Sequence, residues 1–219
     1  MFWYLLFAHL LADYPLQPNW IVANKLNIRV LFLHVAIHFV VGTIIVALID
    51  ISLWPWVLVL ALVHWTIDLG KNTFNRIYPG LVLSAYIIDQ ILHMITILGI
   101  TIGIEARTGI STFSLKPGWL IFAIIYLATT FVWYISERII FYREPGYRDR
   151  VVEYAWTRMF ARAVFLTAML LVSLWVSPKP IFALALPVFP YPPNNQGIRA
   201  LLTDVLISAC GSILIRSIL

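Results

Sequence analysis

Residues 82–104 read VLSAYIIDQILHMITILGITIGI, an apolar run that carries one carboxylate, Asp89, and one imidazole, His93. At about 1.5 Å per residue, a helix of this length crosses the roughly 30 Å hydrocarbon core of a bilayer. No water is available there to solvate an ionised carboxylate, so Asp89 requires a partner or a bound cation. His93 stands four residues on, and positions i and i+4 share a helix face. The stretch therefore predicts a membrane helix that carries part of a polar site.

The rest of the chain is of the same kind. Of 219 residues, 62% are hydrophobic and 11% charged, and the mean hydropathy is +0.91, which excludes a soluble globular domain. Apolar runs predict helices at 1–14, 29–50, 52–69, 82–104, 118–136, 159–176 and 200–218. The expected fold is all-α, a polytopic membrane helix bundle of about seven transmembrane helices, the first of them the shortest. That first run contains His9 and Asp13 and has no basic segment before it, so it fits a retained helix better than a cleavable signal peptide. Cys210 is the single cysteine, which rules out an intrachain disulfide. The formal charge of +5 comes from residues flanking apolar spans. It suits membrane lipid headgroups and argues against a nucleic-acid partner.

All five histidines have a His or Asp four residues away: His9 with Asp13, His34 with His38, His64 with Asp68, and Asp89 with His93. A shift of 55 residues carries His9 to His64, Asp13 to Asp68, His34 to Asp89 and His38 to His93. Helices 1–4 thus read as a tandem repeat of two helical hairpins, about 1–50 and 56–105, with the polar pairs at the repeat interface. The pairs end the first and third helices and begin the second and fourth, so alternating direction brings all four to one level. Residues 1–105 are expected to form a four-helix unit carrying a metal site. Residues 106–219 are expected to add three transmembrane helices, a charged cytoplasmic connector at 137–158 and a proline-rich loop at 177–197.

Five imidazoles and three carboxylates are about what two four- to six-coordinate divalent cations need once an Asp bridges and water takes an open position. Nitrogen and oxygen donors without thiolate fit zinc first, then iron or manganese. A hydrogen-bonded or proton-relay network is the other reading of these eight residues. Two cations about 3.5–4 Å apart hold hydroxide at neutral pH, which makes hydrolysis the natural reaction. Gln17, Asn24, Lys25, Lys71, Asn72 and Gln90 stand on the same face. Lys71, one turn past Asp68, is the candidate to meet a substrate phosphate, against a reading as a snorkelling interfacial lysine. Glu137-Arg138, at the end of the fifth span, is placed to face the site from the cytoplasmic side, against a reading as an interfacial ion pair. Asp204, assigned to the opposite side of the membrane, reads as a helix-start residue favoured by the helix dipole.

Basic residues set the orientation. Lys25, Arg29, Lys71, Arg76, Arg138, Arg143, Arg148, Arg150, Arg158, Arg162 and Arg216 fall on one face, and Arg107, Lys116, Lys179 and Arg199 on the other. The positive-inside bias places the N-terminus outside and the C-terminus in the cytoplasm, with the site near the cytoplasmic leaflet.

The opening motif His9-Leu10-Leu11-Ala12-Asp13-Tyr14-Pro15-Leu16-Gln17, followed by Trp20 and Asn24-Lys25, resembles a prokaryotic integral-membrane family known as domain of unknown function 3307. His34-x3-His38, His64-x2-Ile67-Asp68-x2-Lys71 and Asp89-Gln90-x2-His93 match that pattern too, so the likeness covers residues 9–93. It supports the site positions and implies no particular reaction. The His-x3-Asp spacing is also similar to ligand pairs in zinc-dependent phospholipase C and in predicted membrane-bound metal-dependent hydrolases.

The expectation from sequence is a metal-dependent hydrolase of the prokaryotic plasma membrane acting on a lipid-like substrate, with metal ligands His9, Asp13, His34, His38, His64, Asp68, Asp89 and His93, and Lys71 as a catalytic candidate. The alternatives are a di-iron membrane oxidase or hydroxylase, and a non-enzymatic, metal-stabilised subunit of a larger membrane complex.

Overall fold

The structure, a computed structural model, describes residues 1–109, 118–173, 191 and 194–218. Its helices are α1 (Phe2–Asp13), α2 (Asn19–Asn24), α3 (Ile28–Ala47), α4 (Trp54–Ile77) and α5 (Val82–Thr108), then α6 (Gly118–Ile140), α7 (Pro145–Glu153), α8 (Ala155–Ser173) and α9 (Asn195–Ile218). The described residues contain no strand. Six helices are long and apolar enough to cross a membrane, and the protein is an all-α integral membrane bundle. The seventh expected span, α1, has 12 residues and extends only about 18 Å. Pro15 and Pro18 explain where it stops, since proline cannot continue a helical ladder. The 55-residue-shifted positions in the second hairpin lack proline, and α4 runs on to Ile77.

Two compact units divide the chain, Met1–Leu120 and Ile121–Leu219. In the first, α1 packs on α3, α3 on α4, α4 on α5, and α5 back on α1, closing a four-helix ring. Neighbours alternate in direction. Helix starts are capped where the chain turns: the Asn27 side chain accepts from Arg29 N at 3.0 Å, and Asp50 accepts from Ser52 N at 2.8 Å. Close approach depends on two glycines. A Cβ at Gly42 would lie 2.6 Å from Val57 Cγ1, and one at Gly103 would lie 2.8 Å from the Trp56 ring.

The second unit is built on α6, α8 and α9. A π turn at Ala128–Val132 interrupts α6, and Arg162 Nη2 donates to Thr130 O at 3.0 Å beside it. Arg158 contacts Asp204, the carbonyl of Arg162 accepts from Ser208 Oγ at 3.1 Å, and Gly211 packs on Leu166. Residue numbers rise together along these contacts, so α8 and α9 run parallel. Arg199 closes the arrangement, pairing with Glu144 at 2.8 Å and lying over the Phe141 and Tyr147 rings at 4.2 and 4.7 Å.

This geometry corrects the topology read from the sequence. Asp204 is level with Glu137, not across the membrane from it, and Arg199 sits beside the 137–158 connector. The C-terminal end of α9 points away from that connector instead of sharing its side. Alternation failed as a guide because it assumes that consecutive apolar runs reverse direction. The proline-rich stretch 177–197 lies outside the described residues except for Tyr191 and 194–197. In a Cys210→Ser background, Asp149→Cys and Asn195→Cys are expected to react with an impermeant thiol reagent from one side, and Ser217→Cys from the other. Labelling of 149 and 195 from opposite sides would restore the antiparallel reading.

Candidate metal centre

The four-helix ring brings all eight sequence-predicted residues into one cluster. α1 supplies His9 and Asp13, α3 His34 and His38, α4 His64 and Asp68, and α5 Asp89 and His93. Three overlapping groups have donor atoms within 4.8 Å of one another: His9, Asp13, His38 and His64; His34, His64 and Asp68; and Asp68, Asp89 and His93. His34 is 0% exposed, Asp68 1%, and Asp89 and His64 2% each, so these four side chains are almost wholly buried. The imidazole rings crowd together, with His38 stacked on His64 at 3.7 Å between centroids and His93 at 4.2 Å from His64.

Hydrogen bonds determine which nitrogen of two rings is free to bind. His93 Nδ1 lies 2.8 Å from the carbonyl of Asp89. A carbonyl only accepts, so Nδ1 carries the proton and Nε2 of the neutral ring is a lone pair. Among the described residues that Nε2 is buried without a hydrogen-bond partner, as are His64 Nδ1 and Asp89 Oδ1. The Gln17 side-chain oxygen accepts from His34 Nδ1 at 3.1 Å and from Lys25 Nζ at 2.6 Å, while its amide donates to the carbonyl of Asp13 at 2.9 Å. His34 Nε2 then also presents a lone pair. It faces Asp13 Oδ1 at 3.1 Å, His64 Nε2 at 3.1 Å and Asp68 Oδ2 at 3.5 Å.

Asp13 gathers histidines: His38 Nε2 lies 3.1 Å from its Oδ1 and His9 Nε2 3.3 Å from its Oδ2. Donor-to-donor distances of this size are the edges of a coordination polyhedron, roughly 3.3 Å for tetrahedral bonds of 2.0–2.1 Å. Electron-rich atoms placed so closely in a low-dielectric interior repel one another unless a cation or proton lies between them. Gln17, outside the ligand set, orients His34 as supporting groups orient metal-binding imidazoles elsewhere.

The two repeats are not equivalent here. Asp68, the counterpart of Asp13, is held by lysines: Lys25 Nζ at 2.8 Å from Oδ2 and Lys71 Nζ at 3.4 Å from Oδ1. Lys71 also reaches Asp89 Oδ2 at 2.8 Å. This corrects the snorkelling reading of Lys71, whose ammonium turns inward to the carboxylates. Gln90 donates to Asp89 at 3.0 Å and accepts from Tyr14 at 3.2 Å, and Asn72 donates to the carbonyl of Lys25 at 3.1 Å. Asn24 bonds to Trp20 at an exposed position and takes no part.

A second buried cluster, in the other unit, was missed from the sequence. Arg158 Nη2 lies 2.9 Å from Glu137 and 2.7 Å from Asp204, and Arg162 Nη1 lies 3.0 Å from Asp204. Tyr147 donates to Glu137 at 2.7 Å, and Tyr191 donates to Asp204. Burial and the adjacent Glu137 carboxylate raise the Tyr147 phenol above its usual range. Two acids and two guanidinium groups balance, and all four are buried. Glu137 therefore pairs with Arg158 and not with Arg138, which lies over the Tyr134 ring at 5.5 Å. Asp204 lies well inside α9 as an acceptor and is not a helix-start residue. The available signal was Arg158-x3-Arg162, the same one-face spacing that marks the histidine pairs.

Comparison with known proteins adds a family and no reaction. A family described as Protein of unknown function (DUF3307) matches residues 1–135. The match spans every residue of the His/Asp cluster with Lys25 and Lys71, and ends before Glu137. No curated protein and no solved structure matches the chain.

Proposed function

The chain belongs to the family described as Protein of unknown function (DUF3307), and from the geometry of its His/Asp cluster we propose that it is a metal-dependent hydrolase of the prokaryotic plasma membrane. It acts near the cytoplasmic leaflet on a lipid-like substrate such as a phospholipid or polyprenyl phosphate. One observation carries the metal reading: the His34 Nε2 lone pair faces two carboxylate oxygens and the His64 imidazole at 3.1–3.5 Å. A divalent cation is the simplest species that holds such a set together in a membrane interior.

Within this reading His9, Asp13, His38 and His64 hold one divalent cation and Asp68, Asp89 and His93 a second, with His34 between them. Zinc is the first choice, with iron or manganese following. Two such cations lower the pKa of bound water and stabilise charge on a displaced oxygen, so no separate general base is needed. The Lys and Arg residues at 25–29 and 71–76, at the ends of the helices that carry the site, support a cytoplasmic level for it.

The test is turnover by purified, zinc-loaded protein on phosphatidic acid and on a polyprenyl phosphate, with His34→Ala/His93→Ala as control. Release of inorganic phosphate by wild type that falls at least a hundredfold in the control supports the hydrolase. Bound iron with oxygen consumption would instead identify a di-iron oxidase. Stably bound zinc without turnover would leave a metal-stabilised subunit, a reading that the near-complete burial of the ligands favours.

A further inference from the structure

A groove of 380 Å³ runs between α4 and α5, lined by Ile67, Gly70, Phe74, Ile88 and Leu92, with Lys71 and Asp89 on the same wall. We propose that this groove holds the apolar chain of an anionic membrane lipid whose head group is met by Lys71. The inference rests on the hydrolase reading above and names how its substrate enters. Both helices are long and apolar enough to cross a membrane; at that depth the groove would open to hydrocarbon, and an acyl or prenyl chain would leave it at little cost. The volume falls within the roughly 300–1,000 Å³ of ordinary ligand pockets.

Two features restrict the occupant. A Cβ built at Gly70 meets no atom within 4 Å, so any larger residue there would occupy the groove. The cavity among His9, His38, His64 and His93 measures only 20 Å³, room for about one water or ion. A substrate therefore cannot enter among the histidines and reaches the carboxylates from the Asp89 side. Lys71 is the cation on that wall, 2.8 Å from Asp89 Oδ2 and 3.4 Å from Asp68 Oδ1. With a divalent cation held by Asp68 and Asp89, Lys71 would lose those oxygens as partners and its ammonium would be free to turn toward the groove. A released ammonium in an apolar wall selects an anionic head through charge-assisted hydrogen bonds.

The experiment is photolabelling in nanodiscs with phosphatidic acid carrying a diazirine on its acyl chain, against the phosphatidylcholine of the same chain. Zinc per chain is measured on each sample. Labelling is expected to concentrate on peptides containing Phe74, Ile88 and Leu92, with phosphatidic acid favoured at least fivefold. Gly70→Leu should lower it at least tenfold with zinc unchanged, and Lys71→Gln should abolish the head-group preference. Leu92→Trp, at a lining position that is itself exposed, repeats the block from the other helix. Uniform labelling of all lipid-facing helices, or labelling untouched by either block in zinc-loaded protein, overturns the groove and leaves the metal site standing. Concentrated, blockable labelling of protein that binds no zinc overturns the metal reading and leaves the groove.

Discussion

On the two-cation reading, Asp13→Ala is expected to cost the protein the cation held by His9, Asp13, His38 and His64. Asp13 is where the imidazoles converge: His34 and His38 at 3.1 Å and His9 at 3.3 Å. Its removal takes away the anionic ligand and leaves a set of neutral donors. The lysine side of the cluster should respond in the opposite sense. Lys71→Met removes a cation from Asp68 and Asp89, leaving their charge less compensated, so the second cation should bind more tightly, by about tenfold or more. Zinc per chain and competition with a chromophoric chelator measure both effects. Full zinc retention in Asp13→Ala would remove the metal centre and leave a hydrogen-bonded core. An unchanged second-site affinity in Lys71→Met would show that the ammonium and the cation do not compete.

Asp204→Asn is expected to lower the stability of the second unit by about 3–5 kcal/mol, the usual cost of removing one partner from a buried ion pair. Asp204 is 0% exposed and accepts from Arg158, Arg162 and Tyr191. Without its charge two guanidinium groups share Glu137 alone, and Arg162 is already 3.7 Å from that carboxylate. Removing a base as well, as Asp204→Asn/Arg162→Met, restores the charge balance and should recover a large part of the loss. Denaturant titration followed by tryptophan fluorescence reads the change. A loss below about 1 kcal/mol in the single variant would make the cluster a set of weak surface-like pairs.

The two clusters differ in how far they could be read in advance. The His/Asp set announces itself because each pair lies four residues apart within an apolar run, and because the 55-residue shift repeats it. The acid and arginine set joins Arg158 to Asp204 across 46 positions and to Glu137 across 21. Neither separation leaves a periodic trace. From sequence, Arg158 falls in the connector and Arg162 in the first turn of the 159–176 span, both counted among the cytoplasmic charges, whereas α8 begins at Ala155 and carries both inward.

What the sequence determined by itself is the membrane character, the first two hairpins and the eight polar residues at one level. Those follow from span length, helical periodicity and strict alternation, which are local or repeating properties of the chain. Only the tertiary structure decided that Asp13 faces imidazoles while Asp68 and Asp89 face Lys71, since two residues equivalent in a repeat acquire different partners through long flexible side chains. It alone decided that α9 runs parallel to α8, bringing Asp204 to Arg158 and Arg162. The direction of a helix is set by which buried charges must find one another, and no run of apolar residues records that.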